Sequence, residues 1–321
     1  MSEDQVGDFP LHVETPPPGL VGRYFGTQKH VLGLIFGGLA AWVRSRQAPF
    51  PRGYGLARFA SSCTRPFLDK ELLALPFPVQ LRKRLETLGP TYIKLGQVLS
   101  LREDILPAQI TDELKNLLDR LPAVPLDRLK EIIEKDLKRP VVAMFSWIDP
   151  NPLGSASIGQ VHKAKLLDGR GVILKVVKPG NRELLRRDTI LLNLLGRFLQ
   201  TFLERLQPRK VFKEFSEYTL RELDLTREAD NAETFAANFR DMPDVVFPKI
   251  FREFSGRDVL CMEFLDGYKP TAAATQELSA EQRAHLLDLG AASIIRMLYR
   301  DGFFHADLHP GNLMILPGPK V

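Results

Sequence analysis

The chain has 321 residues, 44% of them apolar and 26% charged, with a net charge of +5. That length builds two or three packed units around a sizeable core, and the composition excludes a disordered protein. The mild positive balance comes without a dense Lys/Arg stripe interleaved with aromatics, which excludes nucleic acid as a partner and leaves anionic ligands and membrane surfaces. The two cysteines, Cys63 and Cys261, lie far apart with no C-x-x-C neighbour. They argue against a zinc site or a disulfide framework and fit a reducing, cytoplasmic compartment.

In chain order, residues 1–29 read as a tail, acidic and proline-rich at first (Pro16-Pro17-Pro18). No signal peptide is visible. The apolar run "HVLGLIFGGLAAWV", His30 to Val43, is bracketed by Lys29, Arg44 and Arg46. It is shorter than the ~20 apolar residues a bilayer crossing needs. Two readings stand equally: a helix at a membrane interface, and a helix docked on the protein body. Residues 1–65 therefore form a tail and an apolar segment. From 66 to 140 apolar residues recur three and four apart, as in "YIKLGQVLSLREDILP", with Pro107, Pro122 and Pro125 as punctuation, so a helical region is expected. From Val141 to about residue 268 the pattern turns β-rich. "IGQVHKAKLL" and "GVILKVVKP" flank the hairpin signal Asp168-Gly169-Arg170-Gly171. Helical patterns return in "RELLRRDTILLNLLGRFLQ" and from Val211 to about Phe239, and a strand is expected in "DVLCMEFLDG". Residues 269–321 hold a last helix, N-capped by Ser279 and closed at Gly302, and then "FFHADLHPGNLMI".

Four strings carry chemistry. Gly154, Ala156, Gly159 and Val161 stand at the spacing of a kinase glycine-rich loop, with Ala156 in place of the middle glycine. Gly154-Ser155-Ala156-Ser157 is small throughout, as a backbone that approaches phosphates must be. Lys175 sits among apolar neighbours in "VILKVVK", like the nucleotide lysine of kinases; the competing reading is a lysine on the solvent face of an edge strand. His305-x-Asp307-x-x-x-x-Asn312 has catalytic-loop spacing, in which Asp307 orients or deprotonates an acceptor hydroxyl and Asn312 holds Mg²⁺. His305 and His309 read as hydrogen-bonded loop residues, and Phe303 and Phe304 as core. Between these strings, Met262 would border an adenine pocket and the backbone from Glu263 to Leu265 would meet the adenine edge. Two further strings are foreign to ordinary kinases: Lys94-x-Gly96-Gln97, and Glu222-x-Asp224 followed by Glu228 and Asn231. On a helix Asp224, Glu228 and Asn231 share one face, where the acids need cations or a metal.

Together these strings resemble the UbiB family, also called AarF-domain or ABC1-type atypical kinases, from about Leu81 to Ile315. The resemblance implies an α+β, protein-kinase-like fold: a small β-rich N-lobe and the start of a helical C-lobe, with a helical N-terminal extension. It implies that Lys175 pairs with Glu228, and that Lys94 and Gln97 face Glu222 and Asp224 over a closed site. It further implies binding of ATP or ADP with Mg²⁺, ATPase or kinase activity, and peripheral membrane association. The partners it implies are a membrane lipid or prenyl-quinone intermediate and enzymes of ubiquinone biosynthesis. The chain departs from the family in carrying Gly154 and Ser155 where alanine is usual. It also carries no Asp-Phe-Gly after "LMIL", so it reads as a fragment. Two other readings remain at this point: a catalytically silent nucleotide-binding scaffold, and a small-molecule phosphotransferase of the aminoglycoside or choline type.

Overall fold

The computed structural model describes residues 19–46, 53–64, 69–117, 123–202, 204–271, 277–306, 308, 310–318 and 320. The expected catalytic Asp307, as well as His309 and most of the expected tail, lies outside these residues. In chain order the described elements are α1 (Leu20–Ser45), α2 (Tyr54–Thr64), α3 (Lys70–Ala74), α4 (Phe77–Leu88), α5 (Pro90–Ser100), α6 (Ala108–Leu114) and α7 (Leu126–Leu137). There follow β1 (Phe145–Ile148), β2 (Gly154–Ser155), β3 (Gly159–Leu166), β4 (Gly171–Val177), α8 (Asn181–Gln200), α9 (Pro208–Glu222), α10 (Leu225–Asn238), β5 (Val259–Glu263) and α11 (Ala280–Ile295). They belong to two interleaved units: 1–124 with 154–160 and 178–223, and 125–153 with 161–177 and 224–321.

The first unit is helical. Gly89, at φ 91°, ends α4, and Pro90 opens α5, so the chain turns sharply where a side chain would be strained. The core gathers Leu85, Leu88, Tyr92, Leu95, Leu114 and Leu117 with Leu192 of α8 and Phe215 of α9. The helix α1 begins at Leu20, so the expected tail is helical over its last part. Thr27, Gly33 and Gly37 recur at helical spacing and are buried, because α1 packs on α2, α3, α4 and α8. Arg23 locks its start by a bidentate pair with the fully buried Asp188, at 2.6 and 2.8 Å. The docked reading of the apolar run is therefore what the structure shows, while Val21, Phe25 and Ile35 remain exposed on the other side. No helix among the described residues is long and apolar enough to cross a membrane.

The second unit holds an antiparallel sheet in the order β1-β3-β4-β5. Gly169, at φ 88°, makes the turn between β3 and β4. Along β4 the buried Val172, Leu174 and Val176 alternate with Ile173 and Lys175, the period of a strand with one face in the core. Helix α7 packs behind β4 and β5, and the Asp136 carboxylate accepts the N–H groups of Asp258 and Val259 at 2.8 and 3.1 Å, which fixes where β5 starts. A second apolar cluster joins Phe235, Phe239 and Met297 with Phe247 and Phe303. Phe304, expected in the core, is 56% exposed.

The expected single helix from Val211 to Phe239 is two helices. Asp224 leaves helical geometry (φ −104°, ψ 92°) and caps α10 through the Thr226 N–H. An aspartate offers the backbone this alternative bond, which stops one helix and starts the next. The last helix opens as expected with a Ser279–Gln282 capping box. From Arg296 to Asp301 it widens into a π-helix, and Gly302 closes it at φ 60°.

Candidate functional site

In the first unit, residues 154–160 are the stretch expected to form a nucleotide loop. The Ala156 N–H donates to Gly159 O at 2.9 Å, which closes the turn. Nothing lies within 4 Å of where a Cβ on Gly154 would stand, so the mouth of the loop is open. Behind it, Asn181 Nδ2 donates to the carbonyls of Ser157 and Ile158 at 2.9 and 3.0 Å, and the Lys178 N–H donates to Ile158 O at 2.9 Å. The Gln160 side-chain amide pairs with both backbone groups of Val124. Lys178 is 4% exposed, and burial pulls its pKa down to about 8. Ser155, Ala156, Ser157 and Gly159 are thus held on a backbone fixed from behind.

Lys94 of α5 places Nζ 2.8 Å from Oε1 of Glu222, at the last turn of α9, and 5.6 Å from the Tyr218 ring centre. Oε2 of Glu222 is buried with no protein partner, an acceptor turned inward. Gly96 lets α5 sit against Leu85 and Leu117, whose methyl groups would overlap any Cβ at that position. Gln97 lies on the same side of α5 as Lys94, three residues on, and its carbonyl accepts from Ser100 Oγ at 2.6 Å.

In the second unit, Lys175 Nζ lies 2.6 and 2.9 Å from the two Glu228 oxygens. The strand β4 is flanked by β3 and β5, which removes the edge-strand reading of Lys175. The lysine leaves the sheet on the face opposite Leu174 and Val176, where the first turn of α10 supplies the glutamate. Both partners keep about two fifths or less of their side-chain surface exposed, at 35% and 43%, so the pair borders accessible space. Asp224 directs its carboxylate to α10 itself: it accepts from Thr226 Oγ1 at 2.5 Å and stands 3.7 Å from Arg257 Nε. Other acids of α10 meet a cation in Arg252, which pairs with Asp230 and Glu233 at 2.5 and 2.7 Å.

Val161 stands in β3 and Met262 in β5, where Met262 bridges Ile250. The Glu263 N–H donates to Lys249 O at 2.8 Å and the Phe264 N–H to Gly171 O at 3.4 Å; Leu265 follows them out of the strand. Beyond it, Asp266, Gly267 and Tyr268 line an open groove of about 380 Å³ with Ile315, Leu316 and Gly318. Gly267 is required there, since a Cβ would stand 2.7 Å from Ile315 O. Asn312 ends the short turn Pro310–Asn312, just before Ile315 pairs with Tyr268.

Each unit by itself holds a part that fits a nucleotide: in the first an open loop of small residues with carbonyls tied back, in the second a lysine held by a helix glutamate. For Mg²⁺, no three His, Cys, Asp or Glu side chains come together among the described residues. Residues that motif reading passed over are Asn181 and Gly267. Asn181 carried one signal, a polar side chain directly after Gly180 where a helix starts beside the loop.

The family model described as the ABC1 atypical kinase-like domain matches residues 116–321. A Marinobacter nauticus protein named "Probable protein kinase UbiB" is 37% identical over 239 residues, 74% of this chain and 44% of that protein. The Pseudomonas fluorescens protein of the same name is 36% identical over 78% of this chain and 47% of its own length. An uncharacterized Synechocystis protein, sll1770, is 36% identical over 74% of this chain and 41% of its own. The chain thus spans less than half the length of these curated relatives. Among solved structures, Rv3197 of Mycobacterium tuberculosis, in complex with erythromycin, is similar with a TM-score of 0.53 and 29% identity, over 84% of this chain and 65% of that one.

Proposed function

Because the chain belongs to the ABC1 atypical kinase-like family, we propose that it binds an adenine nucleotide and serves ATP-dependent phosphoryl chemistry, as an ATPase or kinase. The observation that carries this reading is the Lys175–Glu228 pair at 2.6 Å, on a central strand and facing accessible space. A lysine so placed puts its charge where phosphates would lie, and the glutamate fixes its direction. The Leu265 backbone would meet the adenine edge, since the Glu263 and Phe264 N–H groups are already engaged. Asp307 would orient the acceptor hydroxyl or water, and Asn312 would hold Mg²⁺ when it is bound. Lys94 and Glu222 would tie α5 to α9 within the helical unit.

The likeness to proteins named UbiB supports a role in ubiquinone or related prenyl-lipid biosynthesis. The exposed Val21, Phe25 and Ile35 on α1 support peripheral association with a membrane. Vesicle co-sedimentation checks that part: Phe25→Asp with Ile35→Asp is expected to lower the bound fraction, and unchanged binding removes α1 from the membrane reading.

The nucleotide reading is tested by titrating the protein with ATP and Mg²⁺ in a calorimeter. Lys175→Ala is expected to weaken binding about 10- to 100-fold, the loss of a charge-assisted contact. Absence of ATP binding to the unaltered protein at millimolar concentration sinks the reading. Binding without hydrolysis, with Asp307→Asn indistinguishable from the unaltered protein, would leave a nucleotide-dependent scaffold in place of an enzyme.

A further inference from the structure

Two side chains, Asn181 outside every motif and Gln160 at the end of the loop string, hold the loop by its backbone. Asn181, 1% exposed at the first position of α8, sends both bonds of its amide nitrogen to consecutive carbonyls, those of Ser157 and Ile158. In a planar trans peptide the C=O and the following N–H point in opposite directions. Tying back the Ser157 and Ile158 carbonyls therefore turns the Ile158 and Gly159 N–H groups away from α8. Gly159 is buried at the start of β3 and Ile158 is half-buried, so the Ile158 N–H is the one turned toward space that an anion can enter. Gln160, with no exposed surface, holds the other flank through its two-point pairing with Val124. A primary amide facing a peptide group satisfies a donor and an acceptor at once, so it sets both the distance and the tilt of the loop.

We infer that Asn181 and Gln160 are positioning residues of the phosphate-binding loop, which orient the Ile158 amide toward a polyphosphate before any nucleotide arrives. The inference rests on the nucleotide reading for its ligand and on geometry alone for the clamp. It explains how a loop with alanine in place of its middle glycine keeps an anion-receiving shape. Its order comes from side chains beneath it instead of from glycine freedom above it. Asn181 touches no reacting atom; it acts through the loop backbone.

The experiment uses the whole chain with Asn181→Leu, Asn181→Asp and Gln160→Met. Asp loses the two amide donors but keeps the side-chain size, and Asn181→Leu loses them without burying a charge; circular dichroism of each variant checks that the fold is kept. Amide hydrogen exchange over residues 154–160 is measured first, without nucleotide. Exchange at least about tenfold faster in Asn181→Asp, with α8 unchanged, is expected from the loss of the buried bonds. ATP and adenosine affinities are measured next. ATP binding is expected to weaken about tenfold or more in Asn181→Leu and Gln160→Met. Adenosine, which has no phosphates, is expected to bind as before. Unchanged exchange at 154–160 overturns the clamp. Equal losses for ATP and adenosine overturn its role in positioning phosphate. An unaltered protein that binds neither ligand overturns the nucleotide reading, and exchange then decides the clamp separately.

Discussion

Glycine at position 96 is a packing requirement: a methyl group there would overlap the buried side chains of Leu117 and Leu85. Gly96→Ala is expected to cost about 1–3 kcal/mol, the range of overpacked cores, and to lower the thermal midpoint in a calorimetric scan. The same α5 turn carries Lys94, so the motif around it combines a close approach with a charge. The two cysteines separate by environment. Cys63 is exposed, and Cys261 is buried in β5, where burial pushes its thiol up to about 12. One thiol per chain is expected to react with a disulfide reagent in the native protein, and the second only after denaturation. Lys175 shows what could be read at this scale. Its residue type and neighbours named a nucleotide lysine, while the edge-strand alternative was removed only when β5 was seen to cover the far side of β4. Asn181 could not be read, because a role made of two bonds to carbonyls leaves no spacing to recognise.

The seat of α1 is unusually polar for an interface between helices. Arg84 of α4 is 3% exposed with Nε and Nη2 unpartnered, beside Gly33 of α1. Along the same seam, Oε1 of Gln80, Nδ1 of His30 and Oγ1 of Thr27 are buried without partners. A buried cation with two unpartnered nitrogens, offset only at a distance by Asp69, is costly, so Arg84→Met, which keeps the length and removes the charge, is expected to raise stability by about 1–3 kcal/mol in urea unfolding. His30 follows the same logic through pH. Burial first, then the charges of Arg84, Lys29 and Arg23, pull its pKa from 6.5 to about 4, against the opposing pull of Asp69. The unfolded chain therefore takes up a proton near pH 6.5 that the folded one refuses until about pH 4. Stability falls as pH drops through that window, by an amount on the order of 3 kcal/mol, and is flat above it. His30→Asn is expected to flatten the slope of the thermal midpoint between pH 7 and 5. Helical periodicity revealed α4, α5, α8 and α11. It missed the break at Asp224, because apolar Leu223 and Leu225 continue the pattern through the cap. It also placed the start of α1 too late, because the residues after Leu20 mix polar and apolar types whose partners, such as Asp188, lie far along the chain.

The kinase-like fold was readable from its motifs, yet the grouping of its parts was not. Residues 154–160 supply β2 and the start of β3, yet they are also bonded to Val124 and Asn181 and group with the helical stretches. Each unit draws on three separate stretches, so neither can be cut out as one segment. A chain ending at Val124 keeps α1 to α6 but loses Leu192, Phe215 and Asp188 from their core. It is expected to unfold without a cooperative transition by circular dichroism, and a sharp midpoint would show that the first helices stand alone. Interleaving also sets a schedule during synthesis. Arg23 meets its partner 165 residues later and Lys94 meets its own 128 residues later. At ribosomal speeds of about 5–20 residues per second, the earliest helices wait roughly 6–33 s for α8 and α9 to emerge. Through that interval Leu85, Leu88, Tyr92 and Leu95 have Leu114 and Leu117 beside them but lack Leu192 and Phe215. The first part of the molecule to be made is therefore among the last to be completed, and its yield in a cell depends on how well chaperones cover that delay.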